Sequence, residues 1–358
     1  MEKKKVMAAM SGGVDSSAAA YLLCRQGYEC CGITMKLFQN ETLHLPDEHA
    51  CCSEKDVEDA AEVAQSLGMP FYVYDFSPLF QKNVVDRFVS AYERGETPNP
   101  CIDCNRYMKF GILYERAAEM GYDLVATGHY ARISYDEARG RYLLKKALDP
   151  RKDQSYVLYS MTQEQLSRTI FPLGGMTKAE VRALAEKCGF GNADKPESQD
   201  ICFIPDGSYA EFIENYTGKN YPPGDFIRRD GSVLGRHRGI IRYTVGQRKG
   251  LGLALKKPGY VCGIDPENNA VIIGDNEDLF TRKFRVRDLN LISCSRISGG
   301  MRLKVKVRYR QPEQWAVVTQ TGPDTVEVEF DEPQRAITKG QSAVFYDGDI
   351  VVGGGVIC

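Results

Sequence analysis

The chain has 358 residues, too long for one typical domain and right for two or three. Its 43% apolar and 26% charged residues describe an ordinary soluble globular protein, and no apolar run approaches the ~20 residues that would span a bilayer. A net charge of −2 names no partner, because local clusters hide in an average.

The opening Glu2-Lys3-Lys4-Lys5 runs straight into a short apolar stretch, so a cytosolic protein without a signal peptide is expected. Its 12 cysteines are then mostly reduced, serving either as buried apolar residues or as chemical ones. Val6 to Met10 reads as a strand. Met10-Ser11-Gly12-Gly13-Val14-Asp15-Ser16-Ser17 follows, and a helix over about 16–26 leads out. Strand, glycine turn and helix start together make an anion site, because free backbone N–H groups and the helix dipole converge there. Gly12 and Gly13 are expected to take φ > 0 and admit a phosphate, with Ser11, Ser16 and Ser17 adding hydroxyls.

A second strand lies near 31–37, and 38–52 is a polar connection. Ser53, with Asp56 at capping-box spacing, opens a helix with Val57, Ala60, Ala61, Ala64 and Leu67 on one face. Strand 71–74 and a helix over about 78–94 come next. Strands alternating with helices predict an α/β unit with a mostly parallel sheet covered on both faces. Pro98-Asn99-Pro100 forces a loop, and a helix spans about 104–120. Leu124 to Thr127 is a strand with Gly128-His129-Tyr130 at its carboxyl end, where such sheets bind ligands. Residues 131–147 read as a hairpin, and Thr177-Lys178-Ala179-Glu180 opens a further helix. Beyond about 205, helical periodicity vanishes. The expected division is 1–205 catalytic, 206–279 small and β-rich, and 280–358 a β-barrel.

Three groups could carry chemistry. Cys101-Ile102-Asp103-Cys104 heads a helix, which favours a thiolate at Cys104; a zinc half-site is the alternative, although no second C-x-x-C exists. Cys202, beside Ile201 and Phe203, reads as packing when taken alone. His44, His49, Cys51 and Cys52 have metal-like spacing, but a polar loop with two structural thiols is the plainer reading. Cys24, Cys30, Cys31, Cys188, Cys262, Cys294 and Cys358 read as structural. Residues 281–312 hold ten Lys or Arg against one acid, Asp288. Arg302, Lys304, Lys306, Arg308 and Arg310 alternate with Leu303, Val305, Val307 and Tyr309, spanning about 26 Å if extended, a surface for a polyanion. Arg228, Arg229, Arg236, His237, Arg238, Arg242, Arg248 and Lys249 form a second basic cluster.

The string Ser-Gly-Gly-Val-Asp-Ser resembles the pyrophosphate loop of ATP pyrophosphatases. It appears in one order with Asn99-Pro100-Cys101-Ile102-Asp103-Cys104-Asn105, Ala126-Thr127-Gly128-His129-Tyr130, Lys152-Asp153-Gln154-Ser155-Tyr156, Ser198-Gln199-Asp200-Ile201-Cys202, Arg308-Tyr309-Arg310-Gln311 and Gly353-Gly354-Gly355. That set resembles the bacterial tRNA-specific 2-thiouridylase family over nearly the whole chain. The resemblance implies an adenine-nucleotide-hydrolase-like sheet and ATP, with Mg2+, held by Ala9, Met10, Ser11, Gly12, Gly13, Val14, Asp15, Ser16, Met35 and Gly128. It implies that Asn99, Pro100 and Cys101 touch wobble uridine 34. His129, Lys152, Asp153, Gln154, Arg308, Tyr309, Arg310, Gln311 and Gln341 would contact the tRNA anticodon arm. Cys202 would take sulfur as a persulfide from a donor protein, and Cys104 would free it through a disulfide, in a monomeric enzyme. Many family members carry Asp where Cys101 stands, so Cys101, Cys104 and Cys202 could instead hold an iron–sulfur cluster. Rival readings are another ATP pyrophosphatase, such as an amide-forming synthetase, and a non-catalytic RNA-binding protein.

Overall fold

The structure, a computed structural model, describes residues 3–39, 43, 54–192, 195, 201–204 and 207–358. Ser53, the His44/His49/Cys51/Cys52 group and residues 197–200 of the Cys202 motif lie outside the described residues.

Strand β1 (Lys5–Ala9) leads to α1 (Val14–Arg25), β2 (Glu29–Lys36), α2 (Glu54–Ser66) and β3 (Phe71–Asp75). Helix α3 runs through Ser77–Phe80, Gln81–Val85 and Asp86–Glu93, its middle segment wound as a π-turn. Helix α4 runs likewise through Pro100–Asp103, a π-wound Cys104–Ile112, and Leu113–Glu119. Then come β4 (Leu124–Ala126), the hairpin β5 (Arg132–Asp136) and β6 (Arg141–Lys145), α5 (Gln163–Ser167), β7 (Thr169–Ile170) and α6 (Lys178–Lys187).

The first sheet has order β3-β2-β1-β4-β7, and every pairing is parallel. Alternate residues divide its two faces. Met7, Cys31, Ile33 and Val125 enter one apolar cluster, and Val6, Ala8, Cys30 and Ala126 enter another. Both faces are therefore covered, as the βα alternation requires. The strand order reverses at β1, so a crevice opens between the carboxyl ends of β1 and β4.

Helix α7 (Tyr209–Thr217) lies where only β structure is expected. Its Phe212 and Ile213 are buried and pack with Phe203, a 3.6-period signal hidden by the surrounding glycines and prolines. Strands β8 (Gly224–Ile227), β9 (Val233–His237), β10 (Tyr260–Asp265) and β11 (Ala270–Gly274) form a four-stranded sheet.

Strands β12 (Phe280–Leu291), β13 (Gly300–Lys306), β14 (Gln314–Gly322), β15 (Thr325–Arg335), β16 (Ser342–Asp347) and β17 (Ile350–Ile357) pair in the order β12-β15-β14-β13-β16-β17. β12 also pairs with β17, which closes a six-stranded antiparallel barrel. The hairpin β5–β6 joins this sheet through Ile350 and Lys145, so a piece of the first half of the chain extends the barrel's sheet.

Candidate functional site

The glycine loop sits at the carboxyl end of β1, over the crevice. Gly12 has φ +70°, and a Cβ there would lie 2.3 Å from the Asp56 carbonyl oxygen, so both conformation and the α2 backbone demand glycine. Gly13 differs from expectation. It is the N-cap of α1 with extended φ −96°, and only Ser11 Oγ, at 3.7 Å, would neighbour a Cβ. Its use is open space above the helix N-terminus rather than positive φ. Ser16 Oγ accepts from the Ser11 N–H at 3.2 Å and donates to the Gly13 carbonyl at 2.9 Å, which fixes the loop's curvature. Gly128, at the end of β4, lies against α1: a Cβ would come within 2.9 Å of Asp15 C and Ser16 N.

Asp15 is already charge-balanced. Its Oδ1 accepts the Lys178 ammonium and the Tyr130 hydroxyl, both at 2.7 Å. That ties α1 to α6 and to the segment after β4.

Helix α4 begins four residues earlier than expected. Asn99 caps it, accepting the Cys101 N–H at 3.1 Å, and Pro100 occupies the first turn. Cys101 is thus in the first turn and exposed, while Cys104 lies a turn further in and is half-buried. The dipole argument made for Cys104 applies more strongly to Cys101. Cys202 is held by its neighbour. Phe203 is 1% exposed and packs its ring 5.7, 5.5 and 5.3 Å from those of Phe80, Phe88 and Phe212. Cys104 and Cys202 border the same apolar cluster, together with Ala9 of β1; Met35 of β2 is inside it. Cys101 does not belong to that cluster. Among the described residues no three His, Cys, Asp or Glu side chains converge as a metal site.

His129 is 7% exposed, its ring tilted against Phe110 and edge-on to Phe171. Its Nε2 faces the Lys109 ammonium at 3.4 Å and its Nδ1 faces Thr127 Oγ1 at 2.7 Å. Lys has only donors, so Nε2 accepts and Nδ1–H donates. Burial, and the Lys109 charge after it, hold the imidazole pKa well below its ordinary value. Asp153 and Gln154 also turn inward: Asp153 accepts from the Ala147 and Ser155 N–H groups, and Gln154 Oε1 accepts the Tyr130 N–H at 2.8 Å.

The expected row of five cations is broken by the structure. β13 ends at Lys306, so Arg308 and Arg310 lie on a turn. Arg308 donates to the Val245 and Ala336 carbonyls and to Thr338 Oγ1, and burial lowers its pKa. Arg302 pairs with Asp331 at 2.7 Å and Lys304 with Glu313 at 3.4 Å. In the second basic cluster Arg229, Arg236 and Arg242 pair with Asp278, Asp225 and Glu214, and His237 is buried. Tyr309 and Arg310 remain exposed, with Lys152 and Gln311 partly so; the Tyr309 hydroxyl donates to the Asp153 carbonyl at 3.3 Å. Gln341 Nε2 donates to the Thr97 and Pro98 carbonyls at 2.7 and 3.3 Å, pinning the loop before Asn99 to the barrel.

Three family models match the chain in succession. One described as a tRNA methyl transferase HUP domain covers residues 4–206. A tRNA methyl transferase PRC-barrel domain covers 210–275, and an aminomethyltransferase beta-barrel domain covers 281–357. Among curated relatives, the tRNA-specific 2-thiouridylase MnmA of Clostridioides difficile is 50% identical, over 99% of this chain and 98% of its own. That of Acetivibrio thermocellus is 52% identical over 100% of both chains. The chain belongs to the tRNA-specific 2-thiouridylase family. Among the described residues no helix is long and apolar enough to cross a membrane.

In this thiouridylase family member two residues around the loop escape sequence reading. Asn192 Nδ2 donates to the Gly12 carbonyl at 3.0 Å and to Ser17 Oγ at 2.9 Å. Lys195 Nζ bridges Asp56 and Asp59 and lies 3.4 Å from the Gly12 carbonyl. Both stand about 180 residues from the loop in sequence, and neither belongs to a motif.

Proposed function

We propose that this chain transfers sulfur to C2 of wobble uridine 34 in tRNA, using ATP and a persulfide. The observation that supports it is the shared cluster: Ala9, which leads into the glycine loop, packs against the same apolar mass as Cys104 and Cys202, and Met35 lies inside it. That shared packing supports a nucleotide-activating end and a thiol end working together.

In this reading the glycine loop holds the phosphates of ATP with the N–H groups at the start of α1. Uridine O2 attacks the α-phosphorus and pyrophosphate leaves; the loop stabilises the growing charge on that leaving group. Asn99 and the first turn of α4 border the target base. A donor protein delivers sulfur to Cys202 as a persulfide. The Cys104 thiolate attacks the inner sulfur of that persulfide, a Cys104–Cys202 disulfide forms, and hydrosulfide leaves. Hydrosulfide adds at C2 of the adenylated uridine, and AMP departs from the oxygen it activated. A thiol reductant restores both cysteines. The apolar wall around the two thiols keeps water from the activated base. Tyr309 and Arg310, exposed, with Lys152 and Gln311, partly so, would contact the tRNA in this reading, and Gln341 holds the 97–98 loop that leads to Asn99.

Replacing Cys202 by Ser tests the assignment, with unmodified tRNA, ATP and a persulfide donor supplied. The expected result is no 2-thiouridine and unchanged tRNA binding. Product at the wild-type rate would contradict the role. An amide-forming synthetase would instead release AMP without any RNA.

A further inference from the structure

The small four-stranded sheet carries a loop that neither the thiols nor the glycine loop use. It runs from Thr244 to Gly259, ahead of β10, and holds Arg248, Lys249, Lys256 and Lys257 without a single Asp or Glu. All four cations are exposed, and among the described residues none of them forms a salt bridge. Other cations of this domain and of the barrel are matched: Arg229, Arg236, Arg242, Arg302 and Lys304 each have a carboxylate partner.

The loop is built rather than slack. At its root the Gln247 N–H donates to the Thr244 carbonyl at 3.0 Å, and Gln247 Oε1 accepts the Thr244 N–H at 3.0 Å. Gln247 Nε2 donates to the Lys249 carbonyl at 3.1 Å, and the Val261 N–H donates to the Gln247 carbonyl at 2.9 Å, which ties the turn to β10. Further along, Leu251, Leu253 and Leu255 pack into the small core with Phe226, Val261 and Ile273. Gly252, Ala254 and Lys256, one position out of step with them, are exposed. That period of two anchors the loop by its leucines and leaves the basic side chains in solvent. The root is also fastened to the barrel. Arg308 donates to the Val245 carbonyl at 3.2 Å, and a Cβ on Gly246 would lie 2.9 Å from Ala336 Cβ. The loop therefore starts against the residue that precedes Tyr309, Arg310 and Gln311.

We propose that Arg248, Lys249, Lys256 and Lys257 form a phosphate-binding loop for the backbone of the tRNA substrate. The inference rests on the tRNA reading above and adds the small sheet domain to the RNA-binding surface. Four unmatched cations on an anchored loop raise the local positive potential, and a polyanion is the partner that this potential selects. An anionic lipid surface or an acidic protein face carries the same sign of charge. The attachment to Arg308, beside Tyr309 and Arg310, is what favours RNA. Ammonium and guanidinium groups on phosphate oxygens fix register and add affinity but read no base.

The test measures tRNA binding by the full chain between about 50 and 200 mM salt, a range over which phosphate contacts are strongly screened. Wild type is compared with a variant carrying Arg248→Ser, Lys249→Ser, Lys256→Ser and Lys257→Ser, whose fold is checked by thermal unfolding. Each lost phosphate contact removes about 0.7–0.9 from the slope of log K against log salt, so the slope should shrink by about 3 and low-salt affinity should fall about tenfold or more. The loss should be equal for substrate and non-substrate tRNAs. A charge-preserving variant, Arg248→Lys with Lys249→Arg, Lys256→Arg and Lys257→Arg, should keep the wild-type slope. Equal affinity and slope in wild type and the serine variant would overturn the proposal while the sulfur-transfer reading stands. A loss that does not change with salt would overturn it as well, since that marks a disturbed fold. Intact tRNA binding with slower persulfide loading of Cys202 would reassign the loop to the donor protein and refute the RNA contact. Wild type that binds no tRNA would remove the proposal together with the reading beneath it.

Discussion

Adding one methyl group at Gly128 tests how the glycine loop is held. In Gly128→Ala the new Cβ meets Asp15 C and Ser16 N at 2.9 Å and Asp15 O at 3.1 Å. These are backbone atoms of the first turn of α1, so no side chain can swing aside. Relief requires α1 or the end of β4 to retreat by about 0.5 Å, since carbon contacts settle near 3.5 Å. Overpacking of this kind costs about 1–3 kcal/mol. The retreat carries the Ser11–Gly13 loop with it, and misplacement by ~1 Å costs about 10²-fold in rate, so about a tenfold loss in kcat/KM for ATP is expected. Gly175→Ala is the control, because nothing lies within 4 Å of its Cβ. Pyrophosphate release measured against ATP concentration, with thermal unfolding of both variants, gives the comparison. Gly128→Ala matching Gly175→Ala in both assays would refute the packing argument.

Phe203→Ala empties a fully buried aromatic site and should cost about 3–5 kcal/mol in denaturant unfolding, with Phe203→Leu costing less. Persulfide loading of Cys202 should fall in the same order; equal loading in both would separate Phe203 from Cys202. Gln341→Ala removes the donor to Thr97 and Pro98, worth about 1–2 kcal/mol. It should lower kcat/KM for tRNA several-fold and leave KM for ATP unchanged. His129 supplies a pH signature. Its folded pKa is depressed, so below about 6.5 the unfolded chain binds the extra proton and stability falls as pH falls, by up to about 1.4 kcal/mol per unit. Chemical denaturation at pH 7.5 and pH 5.5 should show a smaller loss in His129→Gln than in wild type.

The strand–loop–helix run at residues 5–25 was legible because apolar periodicity changes there from continuous to three- and four-residue spacing. The crevice at Gly128 followed from strand polarity alone. The barrel expected over 280–358 is present, but which strands close it was not legible, because β12 and β17 pair across some 60 residues of intervening chain and neither edge is marked in sequence. Nor was the fate of the basic row. Alternation from Met301 to Tyr309 correctly buries Leu303, Val305 and Val307, yet it cannot say that Asp331 and Glu313 arrive from other segments. Arg308 shows the limit most clearly: a cation in a basic stretch turns inward because three acceptors from other segments await it. Nor was the burial of His129 legible, since Phe110, Phe171 and Lys109 reach its ring from distant positions. The thiols at 101 and 104 were legible, but their order along the helix was not, because the helix starts at Pro100.

The account rests on two thiols and one glycine loop working on a single base. Its most direct measurement is nucleoside analysis of unmodified tRNA after incubation with the purified chain, ATP and a persulfide donor. The account predicts 2-thiouridine at position 34, one AMP released per base converted, and a Cys104–Cys202 disulfide accumulating when reductant is withheld. Product formed without ATP, or with both Cys104 and Cys202 replaced by Ser, would contradict it.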